Sequence, residues 1–85
     1  MVKVRKRGVT FEFPLHDVRG GKRYKYKPGD NFVTENAARV QARYYRDYGE
    51  REWLAFVKTV SVRVKDKGGK TMWKQLFVVY RRRKK

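Results

Sequence analysis

Residues Leu76–Tyr80 read "LFVVY", five apolar side chains with no polar residue between them. A strand with one wet face alternates apolar and polar residues. A run without alternation has to be covered on both faces, which places it at the centre of a sheet. The rest of the chain is then sought as the neighbours and covers of this strand. The stretch "TMWKQLFVVY" (Thr71–Tyr80) follows "DKGGK" (Asp66–Lys70), a turn built on Gly68-Gly69. Before that turn Val60, Val62 and Val64 alternate with Thr59, Ser61, Arg63 and Lys65, a strand that starts as early as Trp53 or Leu54. The C-terminal part is a hairpin.

The N-terminal part repeats the pattern. Val9, Phe11, Phe13 and Leu15 alternate with Thr10, Glu12 and Pro14, a half-buried strand in which Pro14 fits only near an edge or bulge. Gly20-Gly21 suits a two-residue type I′ loop, where both central residues take positive φ. "KRYKYK" (Lys22–Lys27) is the returning strand, ended by Pro28-Gly29-Asp30. With a two-residue loop Arg19 opposes Lys22, Asp17 opposes Tyr24 and Leu15 opposes Tyr26. Tyr24 and Tyr26 then share the core face with Phe11, Phe13 and Leu15, while Arg23, Lys25 and Lys27 lie opposite, beside His16 and Val18. A one-residue slip would exchange the faces.

Between the hairpins Thr34 is a good N-cap and Glu35 suits the first turn, so a helix is expected from about Glu35 to Tyr48, with Gly49 as its left-handed stop. At ~100° per residue Ala37, Val40, Tyr44 and Tyr48 share one side, widened by Ala38, Ala42 and Tyr45. The opposite side carries Arg39, Arg43 and Arg46, with Asp47 as the acid near enough to offset them. The fold class predicted is α+β: one domain over residues 1–85, an antiparallel sheet in the order ββαββ, one helix packed on one face in two layers, the other face free, and flexible basic termini at about 1–7 and 81–85.

Charge bounds the partners. Lys and Arg number 24 against 8 Asp and Glu, a net +16; the two termini hold nine of these charges, leaving +7 on residues 8–80. Solubility alone needs a magnitude of only ~2–8 and either sign serves it. An excess of one sign this large attracts polyanions. There is no Cys and one His, so thiolate and His-cluster metal sites are excluded and no cofactor is expected. No stretch approaches the ~20 apolar residues of a membrane span, and "MVKVRKRG" lacks a following apolar region. A cytoplasmic or nucleoid-associated location follows. Abundant Arg, Lys and Glu with few Asn and Gln point to a thermophilic source.

The leading expectation is a non-catalytic nucleic-acid-binding protein, DNA or RNA being undecided, that holds phosphates through Lys22, Arg23, Lys25 and Lys27 of the basic strand, Arg39, Arg43 and Arg46 of the helix, Arg63 and Lys65 of the next strand, and Arg81, Arg82 and Arg83 of the tail. Like charges at i, i+4 are mildly unfavourable in a helix, which fits a phosphate-facing stripe. Trp73 and Phe77 share one strand face; turned outward beside Arg63 or Lys65 they would form a stacking platform, turned inward they are core. A second class is a protein-interaction module or inhibitor docking on an acidic partner, of the kind that viruses and plasmids encode. A third is a small basic endoribonuclease with His16, Tyr80 and Arg81 as suspects. Glu50 and Glu52 flank Arg51 as local charge pairs. "RGGK" and "DKGGK" lack the spacing of a phosphate-cradling Walker loop.

The order hairpin, helix "ENAARVQARYYRDYG", strand "VKTVSVRV", over about residues 9–64, resembles small archaeal LX-type ribosomal proteins. The chain departs from that pattern in having Glu50 after Gly49 and in its added last strand.

Overall fold

The computed structural model describes residues 1–48 and 53–84. Two tight turns organise its first part. Gly20 (φ 59°) and Gly21 (φ 73°) close a hairpin between β3 (His16–Arg19) and β4 (Lys22–Phe32), in the register expected from the sequence: Arg19 opposes Lys22 and Asp17 opposes Tyr24. An earlier hairpin joins β1 (Val2–Lys6) to β2 (Val9–Phe13) through Arg7 (φ 49°) and Gly8 (φ 76°). The expectation of a flexible basic N-terminus is thereby overturned. Val2 and Val4 pair with Phe13 and Phe11, so the valines face the core and Lys3 and Arg5 face water. Because Arg7 takes the left-handed position that glycine usually fills, the turn carries only half its usual signature. Pro14 has no N–H to give a ladder, and the stretch expected as one strand from Val9 to Leu15 divides there into β2 and β3.

The helix α1 (Glu35–Asp47) begins where Thr34 accepts a hydrogen bond from the Ala37 N–H at 3.3 Å and ends on Tyr48. Gly49, Glu50, Arg51 and Glu52 lie outside the described residues. After them β5 (Trp53–Lys65) and β6 (Thr71–Arg83) form a long hairpin, paired residue for residue from Trp53↔Arg83 to Lys65↔Thr71. Its loop is capped by Asp66, whose Oδ1 accepts from the Gly68 and Lys70 N–H groups at 2.9 and 2.8 Å. The larger sheet has the order β3-β4-β6-β5, so β6 is internal, as "LFVVY" requires. Both β4 and β5 run antiparallel to β6. They are therefore parallel to each other, and α1 is the crossover that parallel strands need. β4 runs past the expected stop at Pro28 through an irregularity between Tyr26 and Asn31, where Gly29 has φ 98°.

Three layers result, rather than two. On one side of the sheet Ala38, Ala42 and Tyr45 of α1 pack on Ala55, Phe77 and Val79. On the other, Phe11 and Phe13 of the β1–β2 hairpin pack on Tyr26, Leu76, Val78 and Tyr80. The face expected to be free is thus covered by the segment expected to be a tail. Leu76, Val78, Val79 and Tyr80 are each 0% exposed.

The helix is also turned from its expected setting. Val40, Tyr44 and Tyr48, assigned to the core by periodicity, are 61%, 54% and 74% exposed. Small side chains at Ala38 and Ala42 let the helix approach the sheet. Tyr45 donates to the buried Asp30 carboxylate at 2.6 Å, and Gln41 donates to the same group at 3.3 Å. A buried carboxylate without such donors would be strongly unfavourable, so this pair fixes the rotation where apolar periodicity left it ambiguous.

The sheet curls toward the hairpin side. Lys58 on β5 meets Asp17 on β3 at 3.0 Å, and the Arg19 guanidinium lies 4.4 Å from the centre of the Phe56 ring. The two outermost strands are therefore joined by side chains, as in a partly closed barrel.

Candidate nucleic-acid interface

Turning α1 leaves its arginines over an opening rather than against solvent alone. Arg39, Arg43 and Arg46 line a groove of about 560 Å³ between the helix flank and Ala55–Val57 of β5, and Arg19 enters it from β3. The curl of the sheet brings Arg19 there. Among the described residues, no acid lines this groove. Arg39 is paired with Glu35 and the Arg43 Nε lies 3.6 Å from Asp47, so Glu35 offsets the stripe as well as the expected Asp47. Both pairs are well exposed; such pairs are worth a few tenths of a kcal/mol and exchange readily for another anion.

The basic strand presents a second surface. His16 opposes Lys25 and Val18 opposes Arg23, while Lys25 opposes Arg81, so Arg23 and Lys25 stand on the helix side of the sheet. Tyr26 is buried beneath, edge-on to Phe13 at 4.9 Å, and Tyr24 is edge-on to Phe56 at 4.8 Å. The tyrosines are structural and the cations are outward. Lys25 and Lys27 line a cavity of about 200 Å³ with Pro28, Trp53 and Arg81. Lys22 is exposed beside Arg19, on the other face. His16 has its pKa lowered, first by partial loss of water and then by the charges of Arg23 and Lys25.

The C-terminal arginines differ from the expected flexible arm. Arg81–Arg83 belong to β6. The Arg81 guanidinium lies 4.0 Å from the Trp53 ring centre and 4.8 Å from that of Tyr45, Arg83 lies 5.1 Å from Trp53, and Arg82 lies 5.8 Å from Tyr24. Lys84 is exposed, and Lys85 lies outside the described residues.

Arg63 and Lys65 are exposed near the far end of β5, and Arg63 opposes Trp73. Trp73 is 65% exposed whereas Phe77, on the same strand face, is 8% exposed. The helix reaches Phe77 and stops short of Trp73, so the two aromatics that parity joins have different surroundings.

The three suspects for RNA cleavage are not assembled. Tyr80 is buried and donates to the Pro14 carbonyl at 2.6 Å, with its pKa pushed up to about 12 by burial first and by the Asp17 charge second. It points to the hairpin side, while Arg81 and His16 lie on the helix side. Among the described residues no group of three or more His, Cys, Asp or Glu side chains is placed to hold a metal, and no helix is long and apolar enough to cross a membrane.

Arg19 and Trp73 are the members of these surfaces absent from the sequence-derived set of phosphate-binding residues. Pairing across the β5–β6 hairpin points to Trp73, since it stands opposite Arg63. Arg19 has no such signal, because its position depends on how far the sheet curls. No family model, curated protein or solved structure matches the chain.

Proposed function

We propose that the chain is a non-catalytic nucleic-acid-binding protein that grips the phosphate backbone. The observation that carries this reading is the groove in which Arg19, Arg39, Arg43 and Arg46 converge from two elements, with no acid among the described residues of its lining. Arginine presents planar, multiple donors suited to phosphate. The helix is ~20 Å long at 1.5 Å per residue, enough to follow several phosphates of a backbone. Arg23, Lys25 and Lys27 add a second track on the basic strand. Binding measured by anisotropy on matched single- and double-stranded DNA and RNA at three salt concentrations tests it. Engaging about 5–8 phosphates gives a log–log slope near −5 to −7 on duplex. An affinity indifferent to salt overturns the proposal.

A second reading, a module that docks on an acidic protein, is favoured by one observation. Val40, Tyr44 and Tyr48 are exposed on α1, with the two tyrosine rings stacked at 5.9 Å. This reading takes over if no nucleic acid binds at ~50 mM salt while one acidic protein is retained specifically.

A further inference from the structure

Resting on the nucleic-acid reading, we infer that the β6 edge beside Trp73 is a stacking site for an unpaired base, so that the chain prefers single strands at this position. Three observations meet there. First, β4 pairs with β6 no farther than Phe32↔Phe77. Among the described residues, the side of β6 turned away from β5 has no strand partner from Thr71 to Gln75, and along this largely exposed stretch its backbone N–H and C=O groups are open to polar base edges. Second, a cavity of about 240 Å³ opens at that edge, with Phe11, Val33 and Phe77 as apolar lining and Trp73 as one wall. This is below the ~300–1,000 Å³ of pockets for drug-sized ligands, which suits a single planar ring system. Third, the polar rim is cationic. Lys6 and Arg7, at the tip of the β1–β2 turn, and Lys74 line the cavity, with no acid among the described lining residues.

Trp73 is 65% exposed, so much of its indole surface is open to a ligand. An indole face between cations offers what a base and its flanking phosphates need: stacking for the ring and charge for the backbone. Arg63, directly opposite Trp73 across the hairpin, supplies a further cation to the same strand face. A duplex keeps its bases stacked on each other and hides their faces, so only an unpaired base can use this wall.

The test uses Trp73→Ala and Trp73→Phe with labelled 15-nucleotide oligothymidylate, oligouridylate and a duplex of equal length. Loss of one stacked base costs ~1–3 kcal/mol, so Trp73→Ala should weaken single-strand binding by roughly 5- to 150-fold. Duplex binding should stay within about twofold, and the salt slope should not change, since no cation is removed. Trp73→Phe should recover most of the affinity. The quenching of tryptophan emission that single strands cause in the wild type should shrink in this variant to what Trp53 alone contributes, although binding persists. Single-strand binding by Trp73→Ala within about twofold of wild type, an equal loss on duplex, or quenching undiminished in Trp73→Phe overturns the site while leaving the phosphate-binding reading intact. A wild-type chain that binds none of the three polymers overturns both.

Discussion

Two arginine triplets occur in this chain, Arg39/Arg43/Arg46 on the helix and Arg81/Arg82/Arg83 at the end of β6, and what lies beneath their guanidinium groups separates them. Arg81 rests between Tyr45 and Trp53, Arg83 on Trp53 and Arg82 near Tyr24. The flat face of each of these groups already has a partner. The helix triplet stands over an open groove and, among the described residues, meets the exposed carboxylates of Glu35 and Asp47. A cation stacked on a ring holds the fold together, whereas a cation over a groove with exchangeable partners is available to a ligand. The same residue type at similar density thus serves two ends, and substitutions can establish how cleanly the two are divided.

The largest expected effect is on binding. Replacing Arg39, Arg43 and Arg46 together by Ala removes three phosphate contacts. Each contributes ~0.9 to the salt slope, so the slope should become less negative by about 2–3, and affinity on duplex in 0.1 M salt should fall roughly 10²–10³-fold. The melting temperature should move by no more than a few degrees, because the exposed pairs to Glu35 and Asp47 contribute only ~0.2–0.5 kcal/mol each. Titration across salt together with a thermal melt checks both. A large drop in melting temperature with affinity retained would reverse the roles of the two triplets.

Arg81→Ala should do the opposite. Two stacking partners are lost, at ~0.5–2 kcal/mol each depending on how far they are desolvated. At 4–8 °C per kcal/mol for a domain of this size, the melting temperature should fall by roughly 4–30 °C. Affinity at a temperature where the variant is folded should fall by less than about tenfold. Arg81→Lys should recover little of the stability, since an ammonium group does not lie flat on an indole. A hundredfold loss of affinity from Arg81→Ala without a shift in melting would show that the stacked triplet also faces phosphate.

Much of this architecture is legible in the sequence where local chemistry decides it. Gly20-Gly21 sets the register that places Arg23 and Lys25 outward and Tyr26 inward. Thr34 starts the helix, and "LFVVY" becomes the internal strand. The same run also demanded a cover on each face, a demand that a two-layer sheet leaves unmet. The second cover is the β1–β2 hairpin, hidden because its alternation is carried by only Val2 and Val4 among cations and because Arg7 replaces a turn glycine. Tertiary decisions are less legible. Apolar periodicity favours Val40 and Tyr44 for the core, but the Tyr45–Asp30 hydrogen bond turns the helix away from them. The arginine stripe can be read from spacing alone. That it borders a groove, and that Arg19 joins it, depends on this rotation and on the curl of the sheet.

The smallest effect concerns that curl. Lys58 is a cation bound to an acid across the two outer strands, and the bond holds the Asp17 carboxyl below the usual aspartate range, mainly through the hydrogen bond from Lys58. A lowered carboxyl pKa means stability that is present above the ordinary aspartate value of ~3.9 and is lost as pH falls through the folded value. The pair is partly exposed, with Lys58 at 41% and Asp17 at 25%, so its worth is under ~1 kcal/mol. Asp17→Asn should therefore melt slightly below wild type at pH 7, and the two proteins should converge near pH 2, where the wild-type carboxyl is also neutral. Arg19 is two residues from Asp17 on the same strand, so loosening the latch also loosens one wall of the arginine groove. A two- to fivefold weaker affinity at pH 7, accompanied by this convergence in acid, would tie the groove to the curl of the sheet. A melting difference that persists unchanged at pH 2 would show that the two strands are held by packing of Arg19 on Phe56 rather than by the Lys58–Asp17 pair.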